Sequence, residues 1–193
     1  MTPSQIRRLQ YLTDNIIYCR KCDRLRLNGI AIPYWNPKSK YVILAEGPGR
    51  NEVEDMTPLV GDAGKLTFRE IRKIIGLKRE DFFLINSVQC RPLTPEGRNG
   101  KPTFGEIENC SFWINKYLET IKPKYLLAFG NYAMDFLFRE NTGIVSKCGT
   151  HRLYDLCGNK INVFPCIHPA NVIYNPENIE LFRKSLRRFR KEI

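Results

Sequence analysis

Three polar side chains stand at the carboxyl ends of stretches that read as buried strands. Glu46 follows Tyr41–Ala45, Asn86 closes a run beginning at Phe82, and His168 follows Ile161–Ile167. Ligands of open α/β sheets bind just past such strand ends. Gly47-Pro48-Gly49 follows Glu46, then the acidic patch Glu52, Glu54 and Asp55, then a second small-residue turn, Gly61-Asp62-Ala63-Gly64. Glycines let backbone and ligand come close, and a carboxylate between them is a poor choice for stability alone. A carboxylate can place water or meet positive charge, an imidazole can donate to a departing anion, and an amide offers donor and acceptor together. Singly, each has a plainer explanation: a solvated charge, a satisfied structural histidine, a turn-forming asparagine. Their places at three strand ends make them a set.

Four cysteines form a second constellation. Cys19-Arg-Lys-Cys22 can aim two thiolates at one metal from a single turn, Cys90 directly follows a strand, and Cys110 lies in the first turns of a helix. Four thiolates suit zinc or an iron–sulfur cluster. Structural zinc sites usually use two tight pairs, so the wide gap between Cys90 and Cys110 favours [4Fe–4S]. The plain alternative, small buried hydrophobes, is strongest for Cys110, which also fits an apolar helix stripe. Cys148, Cys157 and Cys166 lack this spacing, and Cys166 reads as packing within a strand.

These residues need a frame, and the sequence supplies one. Strands at 41–45, 82–87 and 125–129 alternate with helices at about 65–76, at a segment following Thr103, and from Gly130 to about 139. The helix after Thr103 has the clearest start signal, a capping box of Thr103 with Glu106, and Pro123 ends it. A first helix over 4–17, a hairpin of 151–156 with 161–167, and a last helix over about 177–191 complete the plan. The alternation predicts a mostly parallel sheet with helices on both faces. A chain of 193 residues without repeats or linkers reads as one domain, 1–193. The loop Arg91–Pro102 reads as irregular.

Net charge of +11 suggests a polyanionic partner, nucleic acid being the commonest, and the run Arg183–Lys191 carries much of it. No apolar run approaches the ~20 residues that cross a bilayer. The N-terminus has no signal-peptide pattern, so a cytoplasmic location is expected. Seven cysteines in a reducing compartment favour metal ligation over disulfides.

Taken in order, Cys19-x2-Cys22, Ala45-Glu-Gly-Pro-Gly49, Leu59-Val-Gly-Asp-Ala-Gly64, Ile85-Asn-Ser-Val-Gln-Cys-Arg-Pro92, Cys110 and His168-Pro-Ala170 resemble the family 4 (iron–sulfur) uracil-DNA glycosylases over about residues 10–190. The resemblance implies a three-layer α/β/α sandwich with a central four-stranded parallel sheet. It implies a monofunctional enzyme that hydrolyses the N-glycosidic bond of uracil in single- or double-stranded DNA, acting as a monomer and leaving an abasic site. Glu46, Glu52 and His168 are then the candidate catalytic residues, and the sequence leaves open which glutamate holds water and which organises the loop. Gly47, Leu59 and Asn86 become substrate contacts; Val172, Ile173 and Arg91 become DNA contacts, the apolar pair as a wedge into the helix. Cys19, Cys22, Cys90 and Cys110 become ligands of a [4Fe–4S] cluster.

The chain departs from the family pattern in three ways. Leu59 stands where Phe usually stacks on the flipped base, the acidic run is interrupted by Arg50, Asn51 and Val53, and Tyr174 occupies a place often basic. Excision of another deaminated or modified base, and a weakly catalytic DNA-binding or replication-accessory role on the same fold, are the competing readings. The Arg91–Lys101 loop lacks the histidine-bearing basic motif of relatives that bond covalently to DNA, which argues against that mode.

Overall fold

A computed structural model describes residues 1–140 and 142–193. The chain order is α1 (Pro3–Ile16), β1 (Tyr41–Ala45), α2 (Arg50–Glu54), α3 (Asp62–Ile74), β2 (Phe82–Asn86), α4 (Phe104–Ile121) and β3 (Tyr125–Phe129). There follow α5 (Gly130–Phe138), α6 (Ile144–Lys147), β4 (Arg152–Leu156), β5 (Asn159–Cys166), α7 (Pro169–Tyr174) and α8 (Ile179–Arg190). The sheet order is β2-β1-β3-β5-β4, parallel through the first four strands.

The expected four-stranded parallel sheet is present, and a fifth strand extends it. The hairpin turn at Cys157 and Gly158, both with positive φ (51° and 83°), returns β4 antiparallel to β5. A short primed-type turn of this kind matches the twist of paired strands.

Side chains alternate between two cores, one on each face of the sheet. Val42, Leu44, Phe83, Ile85, Leu126 and Ala128 join α1, α4 and α5; Ile43, Leu84, Leu127, Phe129, Phe164 and Cys166 join α3, α7 and α8. Strands buried on both faces read as continuous apolar runs, as these do. The fold is α/β, in three layers.

Local signals account for the helix ends. Thr103 accepts from the Glu106 amide at 3.3 Å while Glu106 accepts from the Thr103 amide at 2.7 Å, and the helix stops at Lys122 in the left-handed region before Pro123. Helix α3 starts three residues earlier than expected, at Asp62, whose negative charge suits a helix N-terminus. Three short helices, α2, α6 and α7, fall where loops were expected; at five, four and six residues they are too brief for a periodic pattern. The Arg91–Pro102 segment is ordered as a small hairpin, with Thr94 N donating to Arg98 O (2.9 Å) and Gly100 N to Pro92 O (2.8 Å). No helix among the described residues is long and apolar enough to cross a membrane.

Candidate active site

Glu46, Gly47, Glu52, Leu59, Asn86 and His168 converge on one pocket beyond the carboxyl ends of β1, β2 and β5. Parallel register aligns these ends: Ala45 pairs with Asn86, so Glu46 leaves the sheet one residue beyond the level of Asn86.

The two glutamates do different work. Glu52 spends its carboxylate on backbone: Oε2 accepts from Gly49 N (3.1 Å), and Oε1 from Val60 N (3.1 Å) and Gly61 N (2.7 Å). It fastens the two glycine turns together and has little capacity left for water. Among the described residues the Glu46 carboxylate has no such partners, and burial pushes its carboxyl up to about 7, with Lys101 nearby pulling the other way. A carboxylate poised near neutrality is the form a general base takes.

His168 is the N-cap of α7, and its Nδ1 accepts from Ala170 N at 3.3 Å. That bond puts the ring proton on Nε2. Burial lowers the ring to about 4, so the imidazole is neutral at physiological pH and remains a donor. Gly130, in the left-handed region (φ 82°), makes room here. A Cβ at that position would lie 3.3 Å from the Cβ of His168 and 3.8 Å from Glu46 Oε2, which places acid and imidazole around one point.

Asn86 is 2% exposed, and its Nδ2 has no hydrogen-bond partner among the described residues. An orphaned buried donor costs about 1–3 kcal/mol and marks a place where a ligand acceptor belongs.

Leu59 closes the pocket in a strained backbone conformation, φ 55°. Arg79 holds it there, donating Nη1 to Leu59 O (2.8 Å) and Nη2 to Pro58 O (2.6 Å). The guanidinium lies over Tyr34 and Phe68, at 4.9 and 5.1 Å from the ring centroids. Gly64 is obligatory opposite, since any Cβ would stand 1.9 Å from Leu59 O.

The profile described as "Uracil DNA glycosylase superfamily" matches residues 32–190 of this chain. The chain belongs to that superfamily. It is similar to the "Type-4 uracil-DNA glycosylase" of Saccharolobus solfataricus, 33% identical over 190 residues that cover 96% of this chain and 86% of that one. The protein of the same description from Archaeoglobus fulgidus is 34% identical over 185 residues, covering 93% and 90%.

In this uracil-DNA glycosylase superfamily member the four expected cysteine ligands lie apart from the pocket. Cys19, Cys22, Cys90 and Cys110 line one recess, together with Trp113 and Glu106. The backbone explains how distant cysteines meet. Ile30 bridges Cys90 antiparallel, flanked by Ala31 N to Gln89 O (2.9 Å) and Arg91 N to Gly29 O (3.0 Å). That bridge lays the segment after Cys22 against the end of β2, while α4 brings Cys110 in from the side. Burial, reinforced by the other thiols, raises Cys90 to about 11 and Cys110 to about 12. Trp113 Nε1 is buried without an acceptor among the described residues. Asn109 Nδ2 approaches Cys22 Sγ at 3.6 Å. Among the described residues no three candidate ligands gather tightly enough to hold a single metal ion. Cys166 is buried in the sheet core, away from this recess.

One expected DNA contact is corrected. Val172 is 5% exposed and packs in the core with α3 and α8, so it presents no wedge. His168-Pro169 starts a helix, and the roughly 100° step per residue turns Val172 inward while Ile173 (43% exposed) and Tyr174 (81%) face out. Arg91 is half-buried beside the pocket, its Nε donating to Asn99 Oδ1 at 2.8 Å. Three of the six cations of the run Arg183–Lys191 are paired with carboxylates: Arg183 with Glu70 and Glu180, Arg187 with Glu180, Arg188 with Glu192.

Asn99, Lys101 and Tyr174 also line the pocket. In the sequence Lys101 is one surface cation among many, and Gly130 and Arg79 carry no motif; only the folded contacts single them out.

Proposed function

We propose that this protein is a DNA-repair glycosylase that hydrolyses the N-glycosidic bond of uracil and leaves an abasic site. The observation that carries the reading is the orphaned Asn86 Nδ2 beside a neutral His168 and a desolvated Glu46. Departure of uracil leaves negative charge on the base and positive charge on the sugar, so the reaction needs donors on one side and a carboxylate on the other. His168 Nε2–H donates to a uracil carbonyl. Asn86 presents Nδ2–H to O4 and its oxygen to N3–H, an order that opposes cytosine's reversed pattern. Glu46 holds water at the sugar and steadies its charge, while Glu52 keeps the turns in place. Leu59 covers the face of the base, and Ile173 and Tyr174 fill the space it vacates when flipped from the helix. Lys101 is exposed, unlike the desolvated amines of Schiff-base enzymes, which favours hydrolysis over lyase chemistry.

Oligonucleotides carrying uracil, hypoxanthine, xanthine or hydroxymethyluracil, single-stranded and duplex, test this directly. Alkali-dependent cleavage at uracil is the expected result. Release of another base in preference, or cleavage without alkali, would overturn it.

The four cysteines of the recess hold a [4Fe–4S] cluster in this reading. Its several irons spread the thiolates more widely than one zinc would, and its charge replaces the protons that burial otherwise keeps on Cys90 and Cys110. Trp113 Nε1–H fits a sulfur acceptor. Glycosidic hydrolysis transfers no electrons, so the cluster's part is structural. Purified protein is expected to be brown, with broad visible charge-transfer absorbance. Ala at Cys19, Cys22, Cys90 or Cys110 should bleach it, and Cys166→Ala should not. Colourless anaerobic protein with stoichiometric zinc would exclude the cluster.

Phosphate contacts release counterions, so binding to DNA weakens with salt by about 0.9 in log–log slope per contact. Arg91→Ala is expected to weaken binding to all sequences alike and to reduce the slope by about 1. An unchanged slope in titrations from low to moderate salt would remove Arg91 from the footprint.

A further inference from the structure

Arg24, two residues beyond Cys22, joins the cysteine recess to the pocket. Its guanidinium forks onto Glu106, Nε to Oε1 at 2.7 Å and Nη2 to Oε2 at 2.5 Å. Glu106 lines the recess, caps α4 through Thr103, and precedes Cys110 by one helical turn. The same guanidinium reaches across to the Arg91–Pro102 hairpin, Nη1 to Leu93 O (2.9 Å) and Nη2 to Lys101 O (3.1 Å). Those two residues stand at opposite ends of the hairpin, and Lys101 extends its side chain into the pocket near Glu46. A bidentate pair with a nearly buried carboxylate fixes the plane of the guanidinium. Of the three N–H donors left over, two are aimed at the hairpin backbone.

We propose that Arg24 is a positioning residue: it transmits the order imposed by ligation at Cys19 and Cys22 to the Leu93–Lys101 hairpin, and so sets Lys101 against the carboxylate of Glu46. The proposal rests on the glycosylase reading of the pocket. Without the tie the hairpin's own backbone hydrogen bonds open more readily and the hairpin loses its placement. Besides Lys101, the groups facing Glu46 are Tyr132 on α5, Glu52 on α2 and His168 after β5. Arg24 touches none of these, so its removal reaches Glu46 through the hairpin, of whose pocket-lining residues Lys101 carries the charge.

The experiment compares Arg24→Met, Lys101→Met and the double variant with the parent, each checked for visible absorbance per protein. Single-turnover uracil release is followed against pH, and amide hydrogen exchange is followed across residues 93–101. Losing the nearby cation disfavours the Glu46 carboxylate, so the acidic limb of the profile moves to higher pH. Arg24→Met is expected to keep its colour, to shift the limb in the same direction as Lys101→Met, and to add nothing in the double variant. Exchange across 93–101 should quicken about tenfold, as for loss of one charge-assisted hydrogen bond, while β1 and β2 stay protected. Arg24→Lys, which cannot form the fork, should not restore the parent.

A limb unmoved by Arg24→Met while Lys101→Met moves it, additive shifts, or unchanged exchange would overturn the proposal. Bleaching of Arg24→Met, or exposure of β1 and β2, would also overturn it by giving Arg24 a purely structural part. If the parent releases no uracil, the glycosylase reading fails instead, and the exchange data still report on the tie.

Discussion

His168→Ala slows single-turnover uracil release by roughly 10²–10³-fold, the cost of one donor to a developing anion. DNA affinity should hardly change, because the interaction is weak in the ground state and grows as charge reaches the base. The histidine does this uncharged. With Nδ1 committed to the Ala170 amide and the ring lowered to about 4 by burial, Nε2–H is a donor throughout the physiological range. Titration of His168 should therefore leave no mark on the rate near the pH where an ordinary histidine titrates. Gln at this position, which retains an N–H, should recover part of the loss. Parental rates in His168→Ala would show the site to be misplaced and would favour a DNA-binding protein without this chemistry.

Replacing Glu46 by Gln should cost about 10³-fold, within the span of general acid–base catalysis, and should also change the shape of the pH profile. In the parent the rate rises with pH through about 7 as the carboxylate ionises; in Glu46→Gln that limb disappears. Stability moves the opposite way. The carboxyl is raised from 4.5 to about 7 in the fold, so the unfolded chain ionises first. The group costs the native state nothing below pH 4.5, and stability then falls as pH climbs from 4.5 to about 7. Above that the buried charge costs on the order of 3 kcal/mol. Glu46→Gln should thus melt higher than the parent at pH 8 and level with it at pH 4. Equal melting curves at both pH values would mean that the carboxylate is better solvated than the pocket suggests.

Much of this site can be read from the chain because its parts follow local rules. Apolar pentads announce β1, β2 and β3, Thr103 and Glu106 announce α4, and the strand ends announce Glu46, Asn86 and His168. What escapes the sequence depends on distance or phase. Whether Glu46 or Glu52 is free for water turns on three amides from two separate turns, which no spacing encodes. Val172 reads as an exposed wedge until Pro169 starts a helix and rotates it inward. The basic run of α8 looks like a DNA footprint, yet Glu70, more than a hundred residues earlier, already pairs with Arg183. Arg24 and Arg79 act on carbonyl oxygens of distant loops, and carbonyls leave no trace in a sequence.

The left-handed backbone at Leu59 divides labour in a way that bears on how such an enzyme could change its diet. Its shape is enforced from outside, by the Arg79 fork on one side and the bare Cα of Gly64 on the other. The leucine side chain packs into the core on the α3 and α8 side but makes neither of these two backbone constraints. The platform residue is thus an interchangeable part: a ring, a branched chain or a smaller group can be mounted there without recasting the mount. Substitutions at Arg79 or Gly64 would instead deform the cup for every base at once. Drift in base preference should accumulate at position 59, and loss of the enzyme altogether at its two supports.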